Sequence, residues 1–281
     1  MNKVGLILEG GGMRGLYTSG VLDFFIENNI EFEEVVGVSA GSANGASYIS
    51  KQNRRNYDIN LTYANDKNYL SFRNFIKTGS VFNMDMLFNK IPEKLFPYDY
   101  NAFNNSNTNF VVVATNCDTG KPEYIKIKDM KKDVLYLQAS CSMPLVSKIV
   151  EVDGLKLLDG GISDSIPVEY LLSKGFDKCV VIKTRDRNYI KGTNKTMRIV
   201  RRKYKKYPNL INTIENRYKV YNETCKKIYE LEKIGKVFVI EPKSTIKVSQ
   251  IEKDKVKLHD LYTQGYNNAK ECFNDLLQFI K

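Results

Sequence analysis

Residues 35–48 read VVGVSAGSANGASY, and how this stretch folds decides the architecture. Val35–Val38 is a short, mostly β-branched run, and small residues follow Ser39, so the pattern is strand, tight turn, helix. Gly37-Val38-Ser39-Ala40-Gly41 is G-x-S-x-G, the spacing of a nucleophile elbow. A serine on so sharp a turn needs glycine on both sides, because a Cβ there meets neighbouring backbone. Gly41, Ser42, Ala43, Gly45 and Ala46 let the helix lie close to a sheet, and its N-terminal amides favour negative charge beside Ser39.

Upstream, the apolar run Val4–Leu8 enters Gly10-Gly11-Gly12-Met13-Arg14-Gly15, which satisfies G-x-G-x-x-G. A dinucleotide site would place an acidic residue at the end of the second strand, about 20 residues on. Here that strand ends in Ser39, with Glu33 and Glu34 at its other end. A phosphate loop would need Gly-Lys-Ser/Thr, which is absent. The oxyanion of an ester under attack is the preferred ligand for the bare glycine amides. A dinucleotide is the weaker alternative.

Serine needs a base. The order Ser39, Asp159, His259 matches that of α/β-hydrolase triads. However, His259, the single histidine, follows Leu258 on a helical pattern and shares a face with Thr263 and Lys270, which reads as solvated. The other option is Leu157-Leu158-Asp159-Gly160-Gly161, where two glycines bring a carboxylate close to another backbone. An ordinary Asp, with a pKa of about 3.9, is a feeble base for a hydroxyl unless a partly dry site raises it. Asp153-Gly154 reads as a two-residue hairpin turn, and Asp164 as a surface or capping residue.

Around these motifs, apolar runs alternate with helical patterns, the signature of an α/β sheet with helices on its faces. Expected strands are Val4–Leu8, Glu34–Val38, Phe110–Ala114, Lys178–Lys183 and Lys236–Ile240. Expected hairpins pair Val111–Thr115 with Tyr124–Ile127, and Lys148–Val152 with Leu155–Leu158. Residues 51–109 are rich in Asn, Tyr, Phe and Lys with weak periodicity, and read as a helical and loop insertion over a site. Two apolar stripes follow, one through Val200, Tyr204, Ile214, Tyr221 and Ile228, the other through Leu258, Tyr262, Gly265, Ala269 and Leu276. Pro208 is expected to start a new helix in the first. The division expected is 1–190 for a catalytic domain and 191–281 for a mainly helical extension with one strand near 236–240.

Five cysteines without C-x-x-C spacing argue against a disulfide framework and a zinc site, and one histidine against a histidine-rich metal centre. No metal and no cofactor are expected. No apolar run approaches the ~20 residues of a membrane span, and Val4–Leu8 is too short for a signal core, so the chain reads as cytoplasmic. The net charge of +11 favours anionic partners. It concentrates in Arg198–Lys206, a candidate for peripheral contact with anionic membrane. No nucleic-acid motif accompanies the charge. Oligomeric state leaves no signal.

Together, Gly10–Gly15, Gly37–Gly41 and Asp159-Gly160-Gly161 resemble the patatin-like phospholipases in order and spacing. Ala139-Ser140-Cys141-Ser142-Met143-Pro144 is similar to that family's A-S-x-S-x-P segment. The likeness spans about residues 3–185. The C-terminal LEKI and EKDKVKLHDLYTQGYNNAKE are similar to the extension of a bacterial cytoplasmic branch. The resemblance implies a three-layer α/β/α sandwich with a mostly parallel central sheet, and hydrolysis of lipid acyl esters by a Ser-Asp dyad without calcium. Ser39 would be the nucleophile and Asp159 the proton acceptor, with Gly10, Gly11, Gly12 and Arg14 at the oxyanion hole. Many members have D-G-A where this chain has D-G-G, a change that leaves the dyad intact. The competing function is a catalytically weak lipid- or acyl-binding protein on the same fold.

Overall fold

Strands covered on both faces carry unbroken apolar runs, and Val4–Leu8 forms such a strand, β1, buried along its whole length. The computed structural model describes residues 3–244 and 247–281. After β1 come α1 (Gly15–Glu27), β2 (Glu34–Val38) and α2 (Ala40–Ile49). The weakly periodic segment that follows holds α3 (Arg55–Tyr63), α4 (Phe72–Thr78), a wide π-type stretch (Met86–Leu95) and α5 (Tyr100–Asn104). Next are β3 (Asn109–Asn116), β4 (Pro122–Ile127), α6 (Val134–Ser140), β5 (Val150–Val152), β6 (Leu155–Asp159) and α7 (Val168–Ser173). The chain continues through β7 (Lys178–Ile182), α8 (Met197–Lys203), α9 (Pro208–Lys233), β8 (Val237–Ile240), α10 (Lys255–Glu271) and α11 (Phe273–Ile280).

The strands form one eight-stranded sheet in the order β5-β6-β3-β2-β1-β7-β8, with β4 also on β3. Pairings among β3, β2, β1, β7 and β8 are parallel; those of β4, β5 and β6 are antiparallel. Side chains alternate faces along each strand. Leu6, Leu8, Val35, Val112 and Ile182 enter a core with α1, α2 and α10. Ile7, Val36, Val38, Val111 and Val181 enter another with α7 and α9. The result is the three-layer α/β/α sandwich with a mostly parallel sheet that the sequence led us to expect.

Pairing on β3 positions the site. Ala114 is opposite both Glu123 in β4 and Asp159 in β6, so those strands occupy different edges. The strand β2 pairs with Asn109–Val113 on the edge that β4 leaves open. Therefore β6 takes over that edge where β2 stops, and the two strands meet end to end.

The C-terminal residues are built into this sandwich. Strand β8 pairs with β7, and Lys183, 1% exposed, is 2.6 Å from Glu241 at the end of that pair. Helix α9 begins at Pro208, where a missing N–H has no helical partner to lose. Helices α1 and α10 cross in close contact. A Cβ on Gly265 would lie 2.0 Å from the Tyr17 carbonyl oxygen, and one on Gly20 2.1 Å from that of Tyr262. Small residues there are a packing requirement.

Val4–Leu8 and Glu34–Val38 match expectation at both ends, and where other strand ends differ they do so by one or two residues. The largest extension is β3, which runs to Asn116 because Thr115 and Asn116 still have partners in β6. One expectation is corrected in part: Asp164 is half-buried rather than on the surface, with Oδ2 accepting from the Tyr124 hydroxyl at 2.7 Å, while Oδ1 accepts from the Ile166 N–H at 3.2 Å as a capping residue would. Burial raises its pKa above the usual carboxylate range.

Candidate active site

Ser39 follows the last residue of β2 and precedes α2, with φ 54° and ψ −125°. Such backbone costs a residue with a Cβ roughly 1–3 kcal/mol and persists only where the surroundings fix it. Here Ser42 does so, its N–H and Oγ donating to the Ser39 carbonyl at 2.9 and 2.6 Å. From the other side, the Ser39 N–H donates to Ser140 Oγ at 2.9 Å. The geometry leaves Oγ free to turn toward β6.

Ser39 Oγ donates to Asp159 Oδ2 at 2.7 Å. The second carboxylate oxygen, Oδ1, accepts from the Gly161 N–H at 2.8 Å. The backbone of Asp159 is also held, its N–H donating to the Ser142 carbonyl at 2.9 Å and its carbonyl accepting from Thr115 Oγ1 at 2.8 Å. Both side chains are buried, Ser39 at 7% and Asp159 at 6% exposure. Burial raises the Asp159 pKa; the Arg217 charge, the Ser39 hydroxyl, the Gly161 amide and the Lys191 charge pull the other way. A dry carboxylate with a raised pKa is a better proton acceptor than an ordinary one.

The glycine loop lies against this pair. A Cβ on Gly10 would fall 2.8 Å from Ser39 Cβ, and one on Gly41 2.2 Å from the Leu8 carbonyl oxygen, so neither position admits a side chain. Gly15 and Gly37 back onto α2, Gly160 onto the Val113 backbone, and Gly161 sits between Asp159 and Arg217. The Met13 N–H donates to the Gln250 carbonyl and the Arg14 N–H to that of Gly11. The amides of Gly10, Gly11 and Gly12 have no acceptor among the described residues. Of the three, Gly10 lies against Ser39, Gly11 against Thr184 and Gly12 against Gln250.

Two cavities meet at Ser39. One is mostly apolar, walled by Ala40, Ala43 and Ala46 of α2, Val134 and Leu137 of α6, and Phe82, Met84, Leu87, Phe88 and Ile91 from the segment between β2 and β3, with Asn44, Arg55, Asn56 and Asn60 among its polar lining. The other holds Glu9, Arg14, Asp159, Arg185, Lys191 and Arg217. Arg14 is 8% exposed, and burial together with Arg185 lowers its pKa to about 10. His259 lines neither cavity; it is exposed on α10, its Nδ1 2.7 Å from the Tyr57 hydroxyl.

Ser140 and Ser142, quoted above only as part of a motif, each hold one partner of the Ser39–Asp159 pair. Arg185, Lys191 and Arg217 escaped the sequence reading. For Arg217 a signal existed: it lies three residues after Ile214 and four before Tyr221, on the buried stripe of α9. Arg185 and Lys191 carry none, since they lie outside any helix or strand.

A family model described as patatin-like phospholipase matches residues 6–172. Another, described as a domain of unknown function (DUF6363), matches residues 207–281. Among relatives, the uncharacterized protein YjjU of Escherichia coli is 30% identical over 187 residues, covering 65% of this chain and 52% of that protein. The lysophospholipase nte1 of Aspergillus terreus is 27% identical over 187 residues, covering 62% of this chain and 11% of that protein. The chain thus spans about half the length of the bacterial relative and far less of the fungal one. The solved structure of VipD from Legionella pneumophila is similar with a TM-score of 0.47 and 12% identity, covering 98% of this chain and 67% of that one. With one family model matching more than half of its residues, this chain belongs to the patatin-like phospholipase family.

Proposed function

We propose that this protein hydrolyses carboxylic esters of lipids through Ser39 and Asp159. The observation that carries the reading is the 2.7 Å hydrogen bond from Ser39 Oγ to the buried Asp159 carboxylate, at the end of a mostly apolar cavity. Ser39 Oγ attacks the ester carbonyl carbon while its proton passes to Asp159. The carbonyl oxygen becomes an oxyanion facing the amides of Gly10, Gly11 and Gly12, with the Arg14 charge nearby. Losing one such donor typically costs about 10²–10³ in rate. The tetrahedral intermediate collapses, the alcohol leaves with the proton held by Asp159, and the acyl group stays on Ser39. Water then attacks the acyl-enzyme and gives a proton to Asp159. Collapse releases the fatty acid and returns that proton to Ser39 Oγ.

Family membership and the lysophospholipase activity named for the fungal relative support a lipid substrate. The apolar wall from residues 82–91 suits an acyl chain. Arg198, Arg202, Lys205 and Lys206 are exposed beside Ile199, 58% exposed, a composition suited to resting on an anionic membrane. Five free cysteines support a reducing compartment such as the cytoplasm. No described helix is long and apolar enough to cross a membrane.

The test is hydrolysis of short and long p-nitrophenyl esters by wild type, Ser39→Ala, Asp159→Asn and His259→Ala. Loss in the first two variants with near wild-type turnover in the third is expected. Equal loss in a folded His259→Ala would replace the dyad by a triad. A wild type that binds lipid and turns over nothing would favour the acyl-binding alternative.

A further inference from the structure

Resting on that reading, we propose that the cavity on the other side of Ser39 binds a phosphate group on the alcohol portion of the substrate, and that residues beyond the phospholipase match supply three of its four cations. Arg14 comes from the glycine loop. Arg185 and Lys191 come from the segment between β7 and α8, and Arg217 from α9, inside the region matched only as a domain of unknown function.

Four cations and two carboxylates, Glu9 and Asp159, share this cavity. Among the described residues, none of the four cations forms an ion pair. Glu9 is already engaged by neutral donors: the Thr184 N–H at 2.6 Å, Thr184 Oγ1 at 3.2 Å and the Tyr221 hydroxyl at 2.8 Å. Asp159 is engaged by Ser39 and Gly161. Buried polar atoms are nearly always paired, yet the Nε atoms of Arg14 and Arg217 are buried without a partner. Lys191 Nζ sits 4.1 Å from the centre of the Tyr221 ring, and its pKa is lowered to about 7 by burial and by Arg217, Arg14 and Arg185, against the pull of Glu9. Like charges gathered in a half-dry space need an anion. A phosphate monoester carries roughly −1.5 to −2 charge at neutral pH and offers three oxygens to guanidinium groups. That charge matches the excess of cations over carboxylates in the cavity.

The choice of a substrate group follows from where the two cavities join. Ser39 and Met143 line both. An ester whose carbonyl carbon rests at Ser39, with its acyl chain in the apolar cavity, must extend its alcohol side into the basic one. A phosphate there holds the substrate across the nucleophile. A neutral glyceride leaves the four cations unpaired.

The test compares 1-oleoyl-glycerol 3-phosphate with 1-oleoyl-glycerol, presented in the same mixed micelles, for wild type, Lys191→Gln, Arg217→Gln and Arg217→Lys. Wild type is expected to favour the phosphorylated ester in kcat/KM by about tenfold or more. Each glutamine variant should lower that ratio by about tenfold, and Arg217→Lys should regain part of it. A wild-type ratio near one, or the same ratio in every folded variant, overturns the proposal while leaving ester hydrolysis in place. Titration of glycerol 3-phosphate into Ser39→Ala, followed by calorimetry, reads the cavity without turnover. Binding that disappears on adding Lys191→Gln supports the proposal even if neither ester is cleaved, in which case the hydrolase reading fails alone. No binding overturns it. A free-phosphate site is the other source of the same chemistry. Inorganic phosphate that binds tightly and changes turnover of both esters equally would assign the cavity to regulation and overturn the substrate role.

Discussion

Replacing Asp159 by Asn separates the chemistry of this site from its stability. Oδ1 accepts from the Gly161 N–H at 2.8 Å and Oδ2 from Ser39 Oγ at 2.7 Å. An amide must keep its carbonyl oxygen on Gly161, because the flipped orientation sets two donors face to face at a cost of about 1–3 kcal/mol. The NH₂ group then points at Ser39 Oγ, and the hydroxyl proton loses its acceptor. General-base loss is typically worth about 10²–10⁴ in rate, or roughly 3–5 kcal/mol of barrier. Stability should not follow. Burial raises the Asp159 pKa, so the ionised carboxylate is a strained occupant that a neutral amide relieves. The expected outcome is a fall in kcat/KM for a p-nitrophenyl ester by at least about 10², with a melting temperature equal to or above wild type. The acid limb of the wild-type pH–rate profile should lie above the ordinary Asp range and vanish from the residual activity of the variant. A folded Asp159→Asn enzyme within about tenfold of wild type would refute the role of Asp159 as proton acceptor.

Other expectations concern stability and surface charge. Gly265→Ala drives a Cβ to 2.0 Å from the Tyr17 carbonyl oxygen, so α1 and α10 must separate, costing about 1–3 kcal/mol and lowering the urea midpoint. An unchanged midpoint would show that the crossing is looser than described. Asp23, with Oδ1 accepting from the Arg54 N–H and Oδ2 from the Tyr262 hydroxyl, is raised by burial to about 6. Its folded pKa exceeds the unfolded one, so its stabilising contribution is complete below about pH 4 and is lost as pH rises through about 6, by roughly 3 kcal/mol in all. Asp23→Asn should flatten this part of the pH–stability curve; curves that stay parallel would discount the shift. Charge reversal at Arg202, Lys205 and Lys206 should weaken sedimentation with anionic liposomes, each basic residue being worth about 1 kcal/mol near such a surface. Unchanged sedimentation would leave this segment as a solvated face.

What was legible in the sequence was whatever packing dictates locally. Val4–Leu8 and Glu34–Val38 are readable as strands because both faces are covered, so their apolar runs are nearly continuous. Pro208 and Asp153-Gly154 are readable because their backbone geometry belongs to the residues themselves. Residues 51–109 resisted for a physical reason. Phe82, Leu87, Phe88 and Ile91 face a cavity, and the π-type stretch Met86–Leu95 contains Pro92, so neither a 3.6-residue nor a two-residue period survives. The basic cavity resisted for another. Arg185 and Lys191 become neighbours of Arg14 only through the sheet, which sets the end of β7 beside the end of β1.

The meeting of Ser39 and Asp159, 120 residues apart, follows from strand pairing. Thr115 faces Leu158 and Ala114 faces Asp159 in β6, while Val113 faces Val38 in β2. Since β2 and β6 share one edge of β3 and run toward each other, the residue that ends β6 must arrive beside the one that follows β2. The motif G-x-S-x-G turns the chain away from the sheet at that point, and D-G-G turns it away from the other direction. The glycines make room for close backbone at this joint: Gly41 lies against the Leu8 carbonyl of β1 and Gly160 against the Val113 carbonyl of β3. Side chains cannot slip here without a change of register, because a shift of one residue in β6 would send the Asp159 carboxylate to the opposite face of the sheet. The two short motifs are specific in combination because they are the two halves of one joint in the sheet, and neither half is interpretable until the other is placed against it.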